Sequence, residues 1–314
     1  MKRILRKNSY TDWPLIARKV TFDWHNVPLR WIPNNPLASH GVNHFSFTLV
    51  RGEYFFCRML NKALPLIDDK KLKEDAQIFI RQEAMHSQAH KHSIDEYLKH
   101  YGVDIESQYK RASYIFDQLL LDQPLGIQLP AIFQRSWLNA RVALVAAAEH
   151  FTSAIGQYVL TRSYWQERGC DPTVSDLFTW HCAEEVEHRA VAYDVYQYIS
   201  GNYLLRAAVM AITAPMFTYL MAAGTVHLAE SDDEVPSSQK SLLSWDFWKA
   251  WHLADKNGYL PGPVWYLKTS LSFFKPNYHP LTEASTELAL KYLDRSAAVN
   301  RAAREINAVE GAYV

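Results

Sequence analysis

EEVEHRAVAYDVY runs from Glu184 to Tyr196. Its apolar residues recur at helical spacing, and Glu185 stands three residues before His188. Residues at i and i+3 share one helix face a turn apart, so a carboxylate and an imidazole in this register reach one cation. RQEAMHSQAH repeats the spacing with Glu83 and His86. Two more glutamates sit in apolar surroundings. Glu53 lies in LVRGEYFF, and Glu149 follows seven residues that are all Ala, Leu or Val. A carboxylate in such a setting is costly unless it is paired or bound to a cation.

The order along the chain is Glu53, Glu83-x-x-His86, Glu149, Glu185-x-x-His188. Glu53 and Glu83 are 30 residues apart, and Glu149 and Glu185 are 36 apart. Each gap suits an antiparallel helix hairpin, because a rise of ~1.5 Å per residue returns the chain to the same height. Two such hairpins facing each other place four carboxylates and two imidazoles at one centre. That is the ligand inventory of a di-iron or di-manganese carboxylate bundle.

The rest of the chain agrees with an all-α reading. Gly is scarce, at 11 of 314 residues, and strand-like alternation is hard to find. Residues 1–40 hold four prolines and read as an extended arm with short turns. Helices are expected over about 42–65, 69–100 and 106–122, then from Pro130 to about 167. Asp171 and Pro172 read as the N-cap and first residue of a helix running to about 199. The four long helices form two tight pairs, with one long crossover between them. The expected organisation is a single domain: arm 1–40, bundle 41–200, and an extension 201–314 with an apolar helix, a polar linker at 230–241 and a last helix near 281–309. The basic N-terminus lacks an apolar core segment and does not read as a signal peptide.

Composition narrows the function. Hydrophobic residues make up 48% and charged residues 21%, a globular balance. Lys+Arg and Asp+Glu are equal at 33 each, which gives no argument for nucleic acid as a partner. Cys57, Cys170 and Cys182 fit no zinc spacing and read as reduced thiols, so the expected location is the cytoplasm.

The chain resembles the ferritin-like di-metal carboxylate superfamily, and within it the bacterial family of predicted metal-dependent hydrolases. NHFSFTLVRGEYFF (Asn43–Phe56), QEAMHSQAHKH (Gln82–His92), HCAEEVEHRAVAYDVY (His181–Tyr196) and KPNYHP (Lys275–Pro280) carry the resemblance, which covers most of the chain. It implies a ferritin-like four-helix bundle holding two metal ions. Glu83 and Glu185 would bridge them, Glu53 and His86 would complete one ion, and Glu149 and His188 the other. Oxygen and imidazole donors without thiolate favour iron or manganese, with iron preferred.

His90 and His181 lie on the same stripe, one turn from His86 and Glu185. Each is an extra ligand, a hydrogen-bond partner behind the ligands, or a polar residue at the bundle end. Glu184 and Glu187 read as surface or outer charges, His92 and His150 as structural, and Asp194 and Arg189 as candidates to orient ligands.

Two function classes follow. The preferred one is an O2-activating oxidase or oxygenase acting on an apolar organic substrate, with an electron donor as partner. Tyr54, Tyr193 or Tyr196 would then stand near the centre as radical or hydrogen-bonding partners. The alternative is a hydrolase of esters or phosphates; iron storage or a structural metal bundle is a third class. A homo-oligomer is the expected assembly. Ala207–Ala229 is uncharged over 23 residues and reads as a buried helix, with a membrane contact or a substrate tunnel as alternatives. Membrane contact there would make the protein peripherally membrane-associated.

Overall fold

A computed structural model describes residues 13–311. Residues 1–12, including the basic N-terminal stretch, lie outside the described residues. No strand occurs among the described residues, and the fold is all-α.

The first helix, α1 (Pro36–Ala63), starts where Pro36 takes the first helical position and the Asn35 side chain accepts from the Ala38 amide. This is earlier than expected, because the cap and proline outweigh the weak periodicity of 36–41. A 3-10 turn at Leu64–Leu66 leads to α2 (Lys70–His92), whose Asp69 cap accepts from Leu72 N. A π turn and a 3-10 turn carry α2 to Tyr101. Gly102 stops it at φ +69°, in the left-handed region where glycine has no steric penalty. The crossover contains α3 (Ile105–Tyr114). Then come α4 (Ala131–Tyr158) and α5 (Pro172–His188), the latter capped by Asp171 as expected.

The expected helix to 199 is broken. The Arg189 guanidinium takes the Val186 carbonyl, and the chain restarts as α6 (Val191–Ile199). The rods α1, α2, α4 and α5–α6 pack around one interior. The apolar core is continuous from Leu15 in the arm to Ala298 near the C-terminus.

Against this bundle lie α7 (Tyr203–Glu230), α8 (Trp245–Lys256), α9 (Pro263–Phe273), α10 (Thr286–Leu293) and α11 (Ala297–Gly311). The single C-terminal helix expected from the sequence is two helices. Asp176 of α5 accepts from Tyr292 Oη (2.7 Å), Ser296 Oγ (2.9 Å) and Ala298 N (3.0 Å), so a buried carboxylate holds the corner and the start of α11. The expected polar linker also holds structure. Asp232 is buried, Arg30 donates to both of its oxygens, and His40 Nε2 lies 2.7 Å from Oδ2. α7 packs on α1, α4 and α9. At its contact with α1, an added Cβ at Gly224 would lie about 2 Å from the His44 ring, so only glycine allows this approach. The expectation that α7 is buried holds for its inner face only.

KPNYHP ties the extension to the bundle. Tyr193 Oη donates to the Tyr278 carbonyl (2.7 Å), His279 pairs with Asp194 (3.0 Å), and Arg189 donates to Pro280 O (3.2 Å). Asp194 and Arg189 therefore hold the C-terminal segment and do not orient ligands.

Candidate metal centre

Glu53 projects from α1, Glu83 and His86 from α2, Glu149 from α4, and Glu185 and His188 from α5. Helices pack with their apolar stripes inward, so ionisable residues on those stripes meet at the bundle axis. All six are buried. Donor atoms of Glu83, Glu149, Glu185 and His188 lie within 4.8 Å of one another. The same holds for Glu53, Glu83 and His86, for His86, His181 and Glu185, and for Glu53, His90 and His181. Glu83 and Glu185 thus belong to groups on both sides.

The oxygens are exceptional in having no hydrogen-bond partners. Both oxygens of Glu53, Glu83 and Glu149 lack one, as do Glu185 Oε2, His86 Nδ1 and His188 Nε2. His188 Nε2 stands 3.2 Å from Glu83, 3.2 Å from Glu149 and 3.4 Å from Glu185. One N–H points at one acceptor, so it cannot satisfy three carboxylates. Buried carboxylates without partners cost several kcal/mol each, on the order of the effective burial penalty of an ion. Cations among these donors remove that cost, and the donor set fits divalent metal ions.

The electrostatics agree. Burial, then the charge of neighbouring carboxylates, raises Glu53 and Glu149 well above the usual range; the same causes raise Glu83. Glu185 goes the other way. Burial pushes it up, but His188, His181 and His86 surround it and hold it well below. Burial opposes charge on His86 and His188, yet the carboxylates raise both. Burial lowers His181 to about 4, and it lowers His90 well below its ordinary value.

A second ring of residues aims the histidines. His86 Nε2 lies 2.9 Å from Glu184 Oε2, which leaves Nδ1 facing inward. His188 Nδ1 lies 3.2 Å from Gln82 Oε1, which leaves Nε2 facing inward. Gln82 Nε2 in turn donates to Glu187 (2.7 Å), and Arg18 from the arm donates to both Glu184 (2.9 Å) and Glu187 (3.0 Å). Glu184 and Glu187 are therefore fully buried, which rules out the surface alternative and keeps the reading of them as outer charges behind the ligands; the arm covers them.

His181 Nε2 lies 2.9 Å from Glu185 and 3.3 Å from Glu53, so it reaches the centre. His90 stands behind it, with Nε2 2.6 Å from His181 Nδ1 and Nδ1 3.0 Å from Ser46 Oγ. His150 is structural, bonded to Tyr278 Oη and Thr269 O, and His92 is exposed. None of the three tyrosines serves the centre. Tyr54 is more than half exposed beside Arg58, Tyr193 bonds Tyr278 O and Arg206, and Tyr196 bonds Asn202 O.

A family model described as predicted metal-dependent hydrolase matches residues 16–284. The chain belongs to this family. The match takes in the arm from Ile16, every residue of the centre and the KPNYHP segment. No curated protein and no solved structure matches the chain significantly. The family description backs the hydrolytic alternative more than the oxygen-activating reading preferred from the sequence. The cysteines are free and buried, and burial raises each thiol. Beside Glu185 and His181 lies a cavity of about 40 Å³ walled by Phe45, Leu49, Ile155 and Phe178.

Proposed function

We propose that the protein is a two-metal hydrolase of small, largely apolar esters or phosphates. The observation that carries this is a run of overlapping buried donor groups from Glu53, Glu83 and His86 through His181 and Glu185 to Glu149 and His188, more donors than one ion takes, in which Glu83 and Glu185 would bridge two ions. Glu53, His86 and His181 would complete one ion, and Glu149 with His188 the other. Bound there, divalent cations supply Lewis acidity toward a carbonyl or phosphoryl oxygen and acidify water. Iron or manganese suits the donors; iron is the preferred ion.

The chain's own residues do the rest. Glu184 and Gln82 each accept the outward N–H of a histidine and fix its tautomer. Arg18 bridges Glu184 and Glu187 and offsets part of their charge. Behind the centre, His90 Nε2 meets His181 Nδ1 and Ser46 Oγ meets His90 Nδ1, contacts that hold the His181 ring with Nε2 toward the centre. The small apolar cavity beside Glu185 and His181 keeps bulk water from the centre.

A second reading, an O2-activating oxidase, is favoured by that cavity: about 40 Å³ of apolar space admits a small gas more readily than a bulky ester. The two are separated by metal loading. Protein carrying two Mn(II) ions should cleave p-nitrophenyl esters or phosphates. Stoichiometric O2 uptake by the Fe(II) form, with no hydrolysis by any loaded form, sinks the hydrolase and leaves the oxidase.

A further inference from the structure

α7 and α9 lie side by side in opposite senses. Tyr203 Oη at the start of α7 donates to the Phe274 carbonyl (2.8 Å), just past the end of α9. Phe217, later in α7, meets Tyr266 early in α9 with ring centroids 5.5 Å apart. The inner faces are committed to the protein: Arg206, Met210 and Ala214 of α7 and Tyr266 and Phe273 of α9 are buried. The outer faces are not. Leu204, Ile212, Met216 and Tyr219 of α7, with Leu267 and Leu271 of α9, are between 49% and 75% exposed. On α7 they form a stripe of about 22 Å at the rise of a helix. A contiguous apolar face of this kind marks an interaction surface.

Charge decides the partner. The sequence has no Asp or Glu from Val195 to Ala229 or from Lys256 to Thr282, although the whole chain carries 33 in 314 residues. The charges on α9 and just after it are positive, whereas the groove beside α7 carries Lys110 and Arg111 together with Glu230 at its far end. Lys268 stands between Leu267 and Leu271, and Lys275 follows α9; neither has an ion pair among the described residues. Arg111 lines the adjoining groove together with Met216 and Tyr219.

We propose that this face docks on an anionic lipid surface, lying in the interface plane. An apolar stripe with a cationic rim is the pattern of interfacial helices, and anionic headgroups supply the charge that the face lacks. A second copy of the chain suits it less, because a two-fold contact would bring Lys268 and Lys275 toward their own copies with no carboxylate between them. α7 is long and apolar enough to cross a membrane, but its inner side is packed on α1, α4 and α9, so the helix lies on the surface and does not span.

The test is flotation of the full chain with vesicles of phosphatidylcholine alone or mixed with phosphatidylglycerol. The chain should float with the anionic vesicles and stay at the bottom with the neutral ones. Ile212→Ser with Leu271→Ser should lower the bound fraction about tenfold. Lys268→Glu with Lys275→Glu should erase the preference for anionic lipid, as should high salt. All four side chains are exposed, so melting curves should stay unchanged. Wild-type protein that ignores anionic vesicles, or an Ile212→Ser/Leu271→Ser protein that floats like wild type, overturns the proposal. So does a dimer in light scattering that the same double variant converts to monomer, which assigns the face to a second copy.

Discussion

Two clusters of buried acid share α1, and they are built on opposite principles. Near its start, Asp232 is met by Arg30 on both oxygens, by His40 and by the Glu234 amide. Burial would raise its pKa, but these bonds hold it below the usual carboxylate range. Further along, Glu53, Glu83 and Glu149 have no hydrogen-bond partner on any oxygen. The first cluster is complete in protein atoms. The second is complete only with cations. A buried carboxylate is therefore informative through its partners more than through its burial.

Removing a bridge should produce the largest effect. Glu83→Ala and Glu185→Ala are each expected to abolish metal loading, read by elemental analysis of purified protein. Retention of two ions per chain in both variants breaks the assignment.

Asp232→Ala should do the reverse, costing stability and sparing metal. Loss of the pair is expected to cost about 3 kcal/mol in denaturant unfolding, toward the lower end because Arg30 reaches solvent. A drop in metal stoichiometry would erase the distinction between the clusters.

Arg18→Ala sits between them, since it removes a cation from the outer ring and no ligand. Metal affinity should fall about 10- to 100-fold, as for other residues that orient ligands. Competition with a chelating dye measures it.

The smallest effect concerns His44, which lies between the clusters on α1 with no ion pair among the described residues and with His227 and Arg111 opposing its charge. Burial lowers it to about 4 from 6.5. The unfolded chain therefore takes up a proton that the folded chain refuses. The stability tied to a neutral His44 is complete above about pH 6.5 and is lost as pH falls toward 4. Between pH 7 and 5 this amounts to about 2 kcal/mol. His44→Gln should flatten the denaturation midpoint against pH over that window; an unchanged slope removes His44 as the cause.

The six principal donors were legible in the sequence because two periodicities coincide there, the i, i+3 pairs and the hairpin-length gaps. Each is local to one helix or one hairpin. His181 and His90 were legible as positions on the stripe but not as partners, since only packing sets their 2.6 Å contact. Arg18, Asp176 and Asp232 were not legible. Each meets its partners across more than 100 residues, at a point that no periodicity marks. Gln82 was within reach of reasoning, because it adjoins Glu83 in the same motif. The break at Arg189 was hidden for a different reason: a side chain takes the carbonyl that the helix would have used.

Arg18 finally bears on how the chain matures. Its contact with Glu187 spans 169 residues, so it is among the most non-local links in the fold. Ordering so long an intervening chain precedes any gain from the contact, which places it late in folding. The arm, synthesised first, is therefore expected to dock late. During that interval Glu184 and Glu187 lack their shared cation, and the histidines they help to aim are free to turn. Protection of residues 13–35 from protease during refolding should therefore follow the collapse of the helices and serve as a clock for the completed centre.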